Sequence, residues 1–251
     1  MTGLVLDQLL AFATAAEMPL LFGLPYDADG SRGSYDLVRH VASDACANGS
    51  AIVGYTYGNE HTPDKYPDVL EQIAVGVPAM RDLLDELYGA PGAPGVPLLV
   101  AADTGLAPWE VATEGEAFTF VSQVLALPGV AASLDAVSWH FYPFKPADVG
   151  TVDHSSVNWD NANTSRLWDP AYLDVVLESA AIVDALVRDE AGEDLEVWLT
   201  ETDSVCHQGV YNYTNRFGNS LWLMNQWGSL AAGLLTPVMQ RQDFFSSPHK
   251  T

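Results

Sequence analysis

Glu60 and Glu201 are the two residues whose type and setting best fit bond-breaking chemistry. Each follows a short apolar run, 51–57 in one case and 195–200 in the other, and so stands at the carboxyl end of a predicted strand. They are 141 residues apart, which leaves room for three further strand starts. In folds built from parallel βα units, reactive groups sit at the carboxyl ends of strands, on the loops that lead into helices. Two carboxylates facing one another there can cleave a glycosidic bond. One must be protonated, to give its proton to the departing oxygen. The other must be ionised, to attack the anomeric carbon or balance its positive charge. Burial and mutual repulsion separate the two pKa values and so divide the roles. A gap of about 5–5.5 Å implies retention through a glycosyl-enzyme; about 6.5–9.5 Å admits a water and implies inversion. Taken singly, each glutamate is equally an ordinary polar residue at a strand end.

The elements that would position this pair follow from apolar periodicity. Leu6, Leu9, Leu10 and Ala13 share a helical face, and 19–24 is a short buried-strand run. Ser34 can cap a helix whose face is Val38, Val41, Ala42 and Ala45. After the 51–57 strand, Ile73, Val77, Met80, Leu84 and Leu87 recur at helical spacing, and Gly89 can end that helix. A strand at 96–102, a helix at 118–127 and a strand at 136–142 follow. Leu173, Val176, Leu177, Ala180, Val183 and Val187 form a further helical stripe, ahead of the 195–200 strand. A helix at 217–232 and a last strand at 235–240 complete the series. Six strands alternating with helices, and never adjacent to one another, predict an α/β fold of parallel βα units. With no linker, repeat or low-complexity tract, 1–251 reads as one domain. The polar and aromatic stretch 143–169 is long for a compact domain, which marks it as functional or disordered.

Composition narrows the classes. The chain has 251 residues, 48% of them hydrophobic, enough for a sizeable core. Its mean hydropathy is +0.07, and no apolar run is long enough for a membrane span. Ten basic against 33 acidic residues give a net charge of −23. Such a chain repels phosphate backbones, so nucleic acid is excluded as a partner, and long polyanions are disfavoured. Sequons at Asn48, Asn163 and Asn212 suit a secreted or lysosome-like compartment, although 1–20 carries no signal-peptide pattern. Cys46 and Cys206 have no pairing that the sequence reveals. His61, His154, His207 and His249 lack metal-ligand spacing and read as surface or loop residues. The stretch 89–95 lacks a phosphate-binding pattern. No metal and no organic cofactor is implied. Trp222, Met224 and Trp227 read as helix packing, and Asp103 closes a predicted strand without an assignable role.

Five blocks of the chain resemble, in order, blocks of glycoside hydrolase family 79, the heparanases and β-glucuronidases. They are Leu20-Leu21-Phe22-Gly23-Leu24, Tyr57-Gly58-Asn59-Glu60, Val137-Ser138-Trp139-His140-Phe141-Tyr142, Val197-Trp198-Leu199-Thr200-Glu201-Thr202 and Val238-Met239-Gln240-Arg241-Gln242. The Gly58-Asn59-Glu60 block is also similar to the acid/base motif of the wider clan of retaining (β/α)8 glycosidases. The resemblance implies a TIM (β/α)8-type barrel, of which about six βα units, strands three to eight, are present. It implies Glu60 as general acid/base and Glu201 as nucleophile. It implies that Asn59 binds the sugar 2-hydroxyl, that His140 and Tyr142 line the site with Tyr142 orienting Glu201, and that Gln242 touches the sugar. The substrate implied is a β-linked oligosaccharide or glycoside, a uronide in the family's pattern.

The chain also departs from that pattern. Strands one and two and the family's C-terminal β-sandwich have no counterpart, so a second chain or a missing segment would have to complete the barrel. His61 replaces the proline that follows the motif glutamate, and Cys206-His207-Gln208-Gly209 stands where the family has a glycine-rich uronate clamp. The heparanase partner of Cys46 falls in Ala13-Thr14-Ala15-Ala16, so the resemblance implies no such disulfide here. Two other functions stay open on these residues. One is an inactive carbohydrate-binding barrel remnant; the other is a glycosidase of the same clan acting on neutral β-glucans.

Overall fold

A computed structural model describes residues 3–43, 48–61, 63, 66–89, 91–106, 116–143, 169–205, 214 and 216–233. Five strands alternate with helices along it: α1 (Gly3–Ala15), β1 (Leu20–Leu24), α2 (Ser34–Ala42), β2 (Ile52–Tyr57), α3 (Val69–Tyr88), β3 (Leu98–Leu106), α4 (Glu116–Leu125), α5 (Val130–Ser133), β4 (Ala136–Phe141), α6 (Pro170–Leu173), α7 (Val175–Ala191), β5 (Glu196–Thr202) and α8 (Phe217–Gly233). The sheet runs β1-β2-β3-β4-β5. β1 pairs in parallel with β2, Leu24 opposite Tyr57, and β2 with β3, Tyr57 opposite Ala101. Sequential order with a helix in every connection is the parallel βα arrangement. The sixth predicted strand, 235–240, and Cys46, Cys206, Gln242, His154, His207 and His249 lie outside the described residues. Among the described residues no helix is long and apolar enough to cross a membrane.

Contacts divide the chain into two compact units. The first comprises Met1–Thr104, Phe120–Ser138 and Glu190–Leu195. Most of β2 and β3 is covered on both faces, so these strands read as near-continuous apolar runs instead of alternating ones, whereas β1 is only partly covered. Leu99, Val100, Ala101 and Ala102 of β3 are fully buried. Ile73, Val77, Met80 and Leu84 form the inner stripe of α3, and Gly89 ends that helix at φ 102°. Arg81, on the same helix, is 7% exposed. Its Nε donates to the carbonyl of Ser133 (3.0 Å), and its guanidinium pairs with Asp135. The Asp135 carboxylate also accepts the Leu99 N–H at 2.7 Å, so one ion pair anchors α3 and the start of β3 to the segment that leads into β4.

Two sequence expectations are corrected in the first unit. Ser34 does not cap α2: the N-cap residue is Gly33, and the Ser34 hydroxyl donates instead to the carbonyl of Pro25. The capping carboxylate is Asp27, buried seven residues earlier. It accepts the N–H groups of Arg32 (2.7 Å) and Ser34 (2.8 Å), satisfying donors a helix start leaves open. Leu9 is part of the predicted face of α1 but is half-exposed, whereas Leu6, Leu10 and Ala13 are buried.

The second unit comprises Gly105–Thr119, Trp139–Asp189 and Glu196–Thr251. Val176, Ala180, Val183 and Val187 make the buried stripe of α7. On α8 the expectation of a packed Trp222–Met224–Trp227 stripe holds only for Trp222; Met224 and Trp227 are exposed. Residues two apart on a helix are separated by about 200°, so Met224 cannot share the face of Trp222.

The Arg81–Asp135 anchor yields a stability prediction. Arg81→Met keeps the side-chain length but strands the Asp135 carboxylate, and is expected to cost about 3 kcal/mol in urea unfolding of the full chain. A loss below about 0.5 kcal/mol would show that the pair holds nothing.

Candidate functional site

The first unit presents Glu60 on a strained corner. β2 ends at Tyr57, and Gly58 then turns with φ 99° while its N–H donates to the Leu24 carbonyl at 2.7 Å. Asn59 is exposed and Glu60 is half-buried. The Glu60 N–H donates to the carbonyl of Asp103 at 2.8 Å. Glu60, Ala102 and Asp103 all take positive φ, at 50°, 83° and 39°. They are three of the four such non-glycine residues described. Conformations of this kind cost of order 1–3 kcal/mol each and persist only where the surroundings over-determine them. Here Ser138 does part of that work. Buried in β4, its hydroxyl accepts the Asp103 N–H (3.0 Å) and donates to the Ala101 carbonyl (3.2 Å).

The ring of Tyr26 supports the corner from beneath. It is 1% exposed and packs edge-on against Tyr57 at 5.2 Å. A Cβ added to Gly58 would fall 2.2 Å from Cζ of Tyr26, so only glycine fits here. The Tyr57 hydroxyl accepts the N–H of Asp27 at 2.8 Å. Tyr57 also closes on α3, where a Cβ at Gly76 would lie 2.5 Å from its hydroxyl. Burial above all, with the charge of Asp103 and then Tyr57 adding to it, drives the Tyr26 phenol far above its ordinary value of 10.0. Burial pushes the Tyr57 phenol up as well. His61 is half-buried, and its ring packs against Tyr26 at 5.4 Å and Tyr66 at 4.1 Å. His61 thus lies in a loop, one of the two settings its sequence context suggests, with its ring packed against aromatic neighbours. Beside these residues, Tyr26, Asp27, Arg32, Asp68, Glu71 and Gln72 line a polar pocket of about 450 Å³.

The second unit presents Glu201. Successive strand residues point to opposite faces, so His140 of β4 and Tyr142, one residue past its end, lie on one side, while Thr200 and Thr202 face away from Glu201 on β5. Tyr142 donates its hydroxyl to Oε1 of Glu201. Nδ1 of His140, 1% exposed, lies 3.9 Å from Oε2. Thr202 Oγ1 donates to the Phe141 carbonyl (2.8 Å) and accepts from Gln226 of α8 (2.9 Å). Thr200 reaches the Trp139 carbonyl at 3.4 Å. The carboxylate is thus oriented from one side while its strand is pinned on the other. Just beyond, Asp203 accepts from the Ser204 N–H (2.6 Å) and from Asn219 of α8 (3.1 Å), which fixes where α8 begins. Glu201 lies one residue before the end of β5, at the strand's carboxyl end as its sequence setting suggests.

Gln242 lies outside the described residues. Asp27, Tyr26, Ser138 and Gln226 carry no sequence signal as strong as the glutamates. Ser138 has the clearest, as a lone hydroxyl between Val137 and Trp139 in an apolar run.

No family model matches the sequence, and no curated protein does. Solved structures do. A 4-O-α-L-rhamnosyl-β-D-glucuronidase from Fusarium oxysporum 12S is similar at TM-score 0.58 and 13% identity, over 94% of this chain and 46% of that one. A glucosidase from Croceicoccus marinus is similar at 0.54 and 16%, over 94% and 45%. An endo-1,4-β-D-mannanase from Thermotoga petrophila RKU-1 is similar at 0.55 and 12%, over 94% and 67%. The chain spans less than half the length of the first two. What these glycosidases share with this chain is the fold, an α/β barrel of the TIM type, of which the described residues supply five strands.

Two predictions follow from the corner around Gly58. Gly58→Ala is expected to cost at least about 2 kcal/mol in denaturant unfolding, from positive φ and overlap with Tyr26 together; an unchanged midpoint would mean the ring can move aside. The raised phenols set a pH dependence. A group that holds its proton more tightly when folded gives stability that is complete below its unfolded pKa and lost as pH climbs toward its folded value. Melting temperature should therefore fall above about pH 10, with tyrosine ionisation at 295 nm accompanying unfolding. Tyr26→Phe should flatten that alkaline decline, and an unaltered slope would remove Tyr26 from the account.

Proposed function

We propose that this chain is a retaining O-glycoside hydrolase, with Glu60 as general acid/base and Glu201 as nucleophile. The observation that carries the reading is the setting of Glu201. It is a carboxylate at the end of a parallel strand, gripped at one oxygen by the Tyr142 hydroxyl and flanked at the other by buried His140, in a fold shared with solved glycosidases. Glu60, at the end of β2 on a corner maintained against backbone strain, is the second carboxylate. The reading requires both to address one sugar.

Protonated Glu60 gives its proton to the glycosidic oxygen as Oε2 of Glu201 attacks the anomeric carbon. The C–O bond to the leaving group breaks and a glycosyl ester to Glu201 forms. The Glu60 carboxylate then takes a proton from water, whose oxygen attacks the same carbon and frees Glu201. The Tyr142 hydroxyl on Oε1 keeps the carboxylate plane fixed through both steps. Asn59 would hold the sugar 2-hydroxyl, His140 and Tyr142 would line the sugar, and Gln242 would complete the glycone subsite. No step calls on a metal or an organic cofactor.

For the substrate we propose a β-linked glycoside, with a uronide as the finer reading; the glucuronidase neighbour supports it. The net charge of −23 weighs toward short or neutral chains over long polyanions. The ratio of kcat/KM on aryl β-glucuronide to that on aryl β-glucoside measures this choice directly.

The mechanism is tested with aryl β-glycosides on the full chain. Glu201→Gln should abolish turnover on every leaving group. Glu60→Gln should lower kcat/KM about 10²–10⁴-fold on a poor leaving group and far less on dinitrophenolate, which departs without a proton. Proton NMR should show the β-anomer as first product. Turnover that survives in Glu201→Gln sinks the assignment; binding without cleavage by the unmutated chain makes it a carbohydrate-binding remnant.

A further inference from the structure

Four aromatic rings lead from the core of the first unit to its surface beside Glu60. Tyr57 and Tyr26 are buried and meet at 5.2 Å, interplanar angle 82°. Tyr26 meets His61 at 5.4 Å and 72°. His61 meets Tyr66 at 4.1 Å and 44°. Tyr66, the outermost, is 45% exposed. His61 is the residue after Glu60, so the Cα atoms of the two are about 3.8 Å apart.

An exposed tyrosine ordinarily loses side-chain freedom when something binds it. Here part of that freedom is already restricted. The ring is backed by His61, and the Tyr66 carbonyl accepts the Val69 N–H at 3.0 Å where the chain enters α3. The result is a flat, apolar face backed on one side, with a hydroxyl at its edge, and preorganisation of that kind lowers the cost of binding. A pyranose is its chemical complement: one face of C–H groups to lie on the ring, and a rim of hydroxyls that need donors and acceptors. Asp68, Glu71 and Gln72 follow within six residues and line the 450 Å³ pocket, a volume in the range of small-ligand sites. Its carboxylates would accept from sugar hydroxyls and repel an anionic ring.

We propose that His61 and Tyr66 form the platform of an aglycone subsite, which takes a neutral sugar ring on the leaving side of the bond. The assignment of the leaving side rests on reading Glu60 as the acid/base. In that role the acid faces the glycosidic oxygen and the departing group, and the platform is assigned to the same side because His61 directly follows Glu60 in the chain. His61 supplies the ring that braces the platform.

The experiment is binding of cellobiose and mannobiose to the full chain by saturation-transfer NMR and calorimetry, with turnover of the same disaccharides followed in parallel. Tyr66→Ala is expected to weaken binding roughly tenfold, while Tyr66→Trp retains it. Tyr66 is surface-exposed, so melting temperature should stay near the parent's and separate lost contact from lost fold. Affinity unchanged in Tyr66→Ala, or neither disaccharide bound by the unmutated chain, overturns the platform even if aryl glycosides are cleaved. Binding that depends on Tyr66 without cleavage of any glycoside keeps the platform and instead overturns the hydrolase reading.

Discussion

Glu60 is held in place through its backbone: its N–H donates to the carbonyl of Asp103, and that carbonyl turns toward it where Ala102 and Asp103 adopt positive φ. Neither residue would choose that geometry alone. It is imposed by neighbours: the Ser138 hydroxyl that takes the Asp103 N–H, the parallel register that sets Tyr57 against Ala101, and the Tyr26 ring beneath Gly58. Several strong local preferences are thus overruled at one corner. The acid/base role proposed for Glu60 would give that concentrated strain a purpose.

The second unit solves the same placement problem without strain. β5 runs straight through Glu201. Its two flanking threonines are tied to β4 carbonyls, and Thr202 also to Gln226, which pins the strand on either side of Glu201. The side chain is then oriented by two groups spaced two residues apart, His140 on β4 and Tyr142 just past its end. That spacing is the period of a strand, which is why β4 and the residue that follows it can bring both a phenol and an imidazole to a single carboxylate.

Much of this was legible in the sequence because it depends on periodicity. The apolar stripes of α3 and α7, and the strand runs around Leu21, Tyr55, Leu99, Val137 and Leu199, follow the two simple repeats of helix and strand, and the observed elements match them to within a few residues. Glu60 and Glu201 were visible because each follows such a run. What stayed hidden depends on tertiary context. Ser34 looks like a cap, yet the cap is Asp27, whose role appears only once the loop between β1 and α2 folds back on it. Ser138 and Asp103 look like incidental polar residues until the β3–β4 contact joins them. Met224 and Trp227 look like core by composition, and only the angle of the helix turns them outward.

The approach of Tyr57 to Gly76 has a further implication, for how such a chain changes over generations. The phenol occupies the space where a side chain at position 76 would begin, and the same hydroxyl receives the N–H of Asp27. A larger residue at 76 evicts the ring and strands that amide; a smaller residue at 57 opens a void and strands it too. Neither position can drift alone, so the two should be inherited as a coupled pair, with divergence at one compensated by simultaneous divergence at the other.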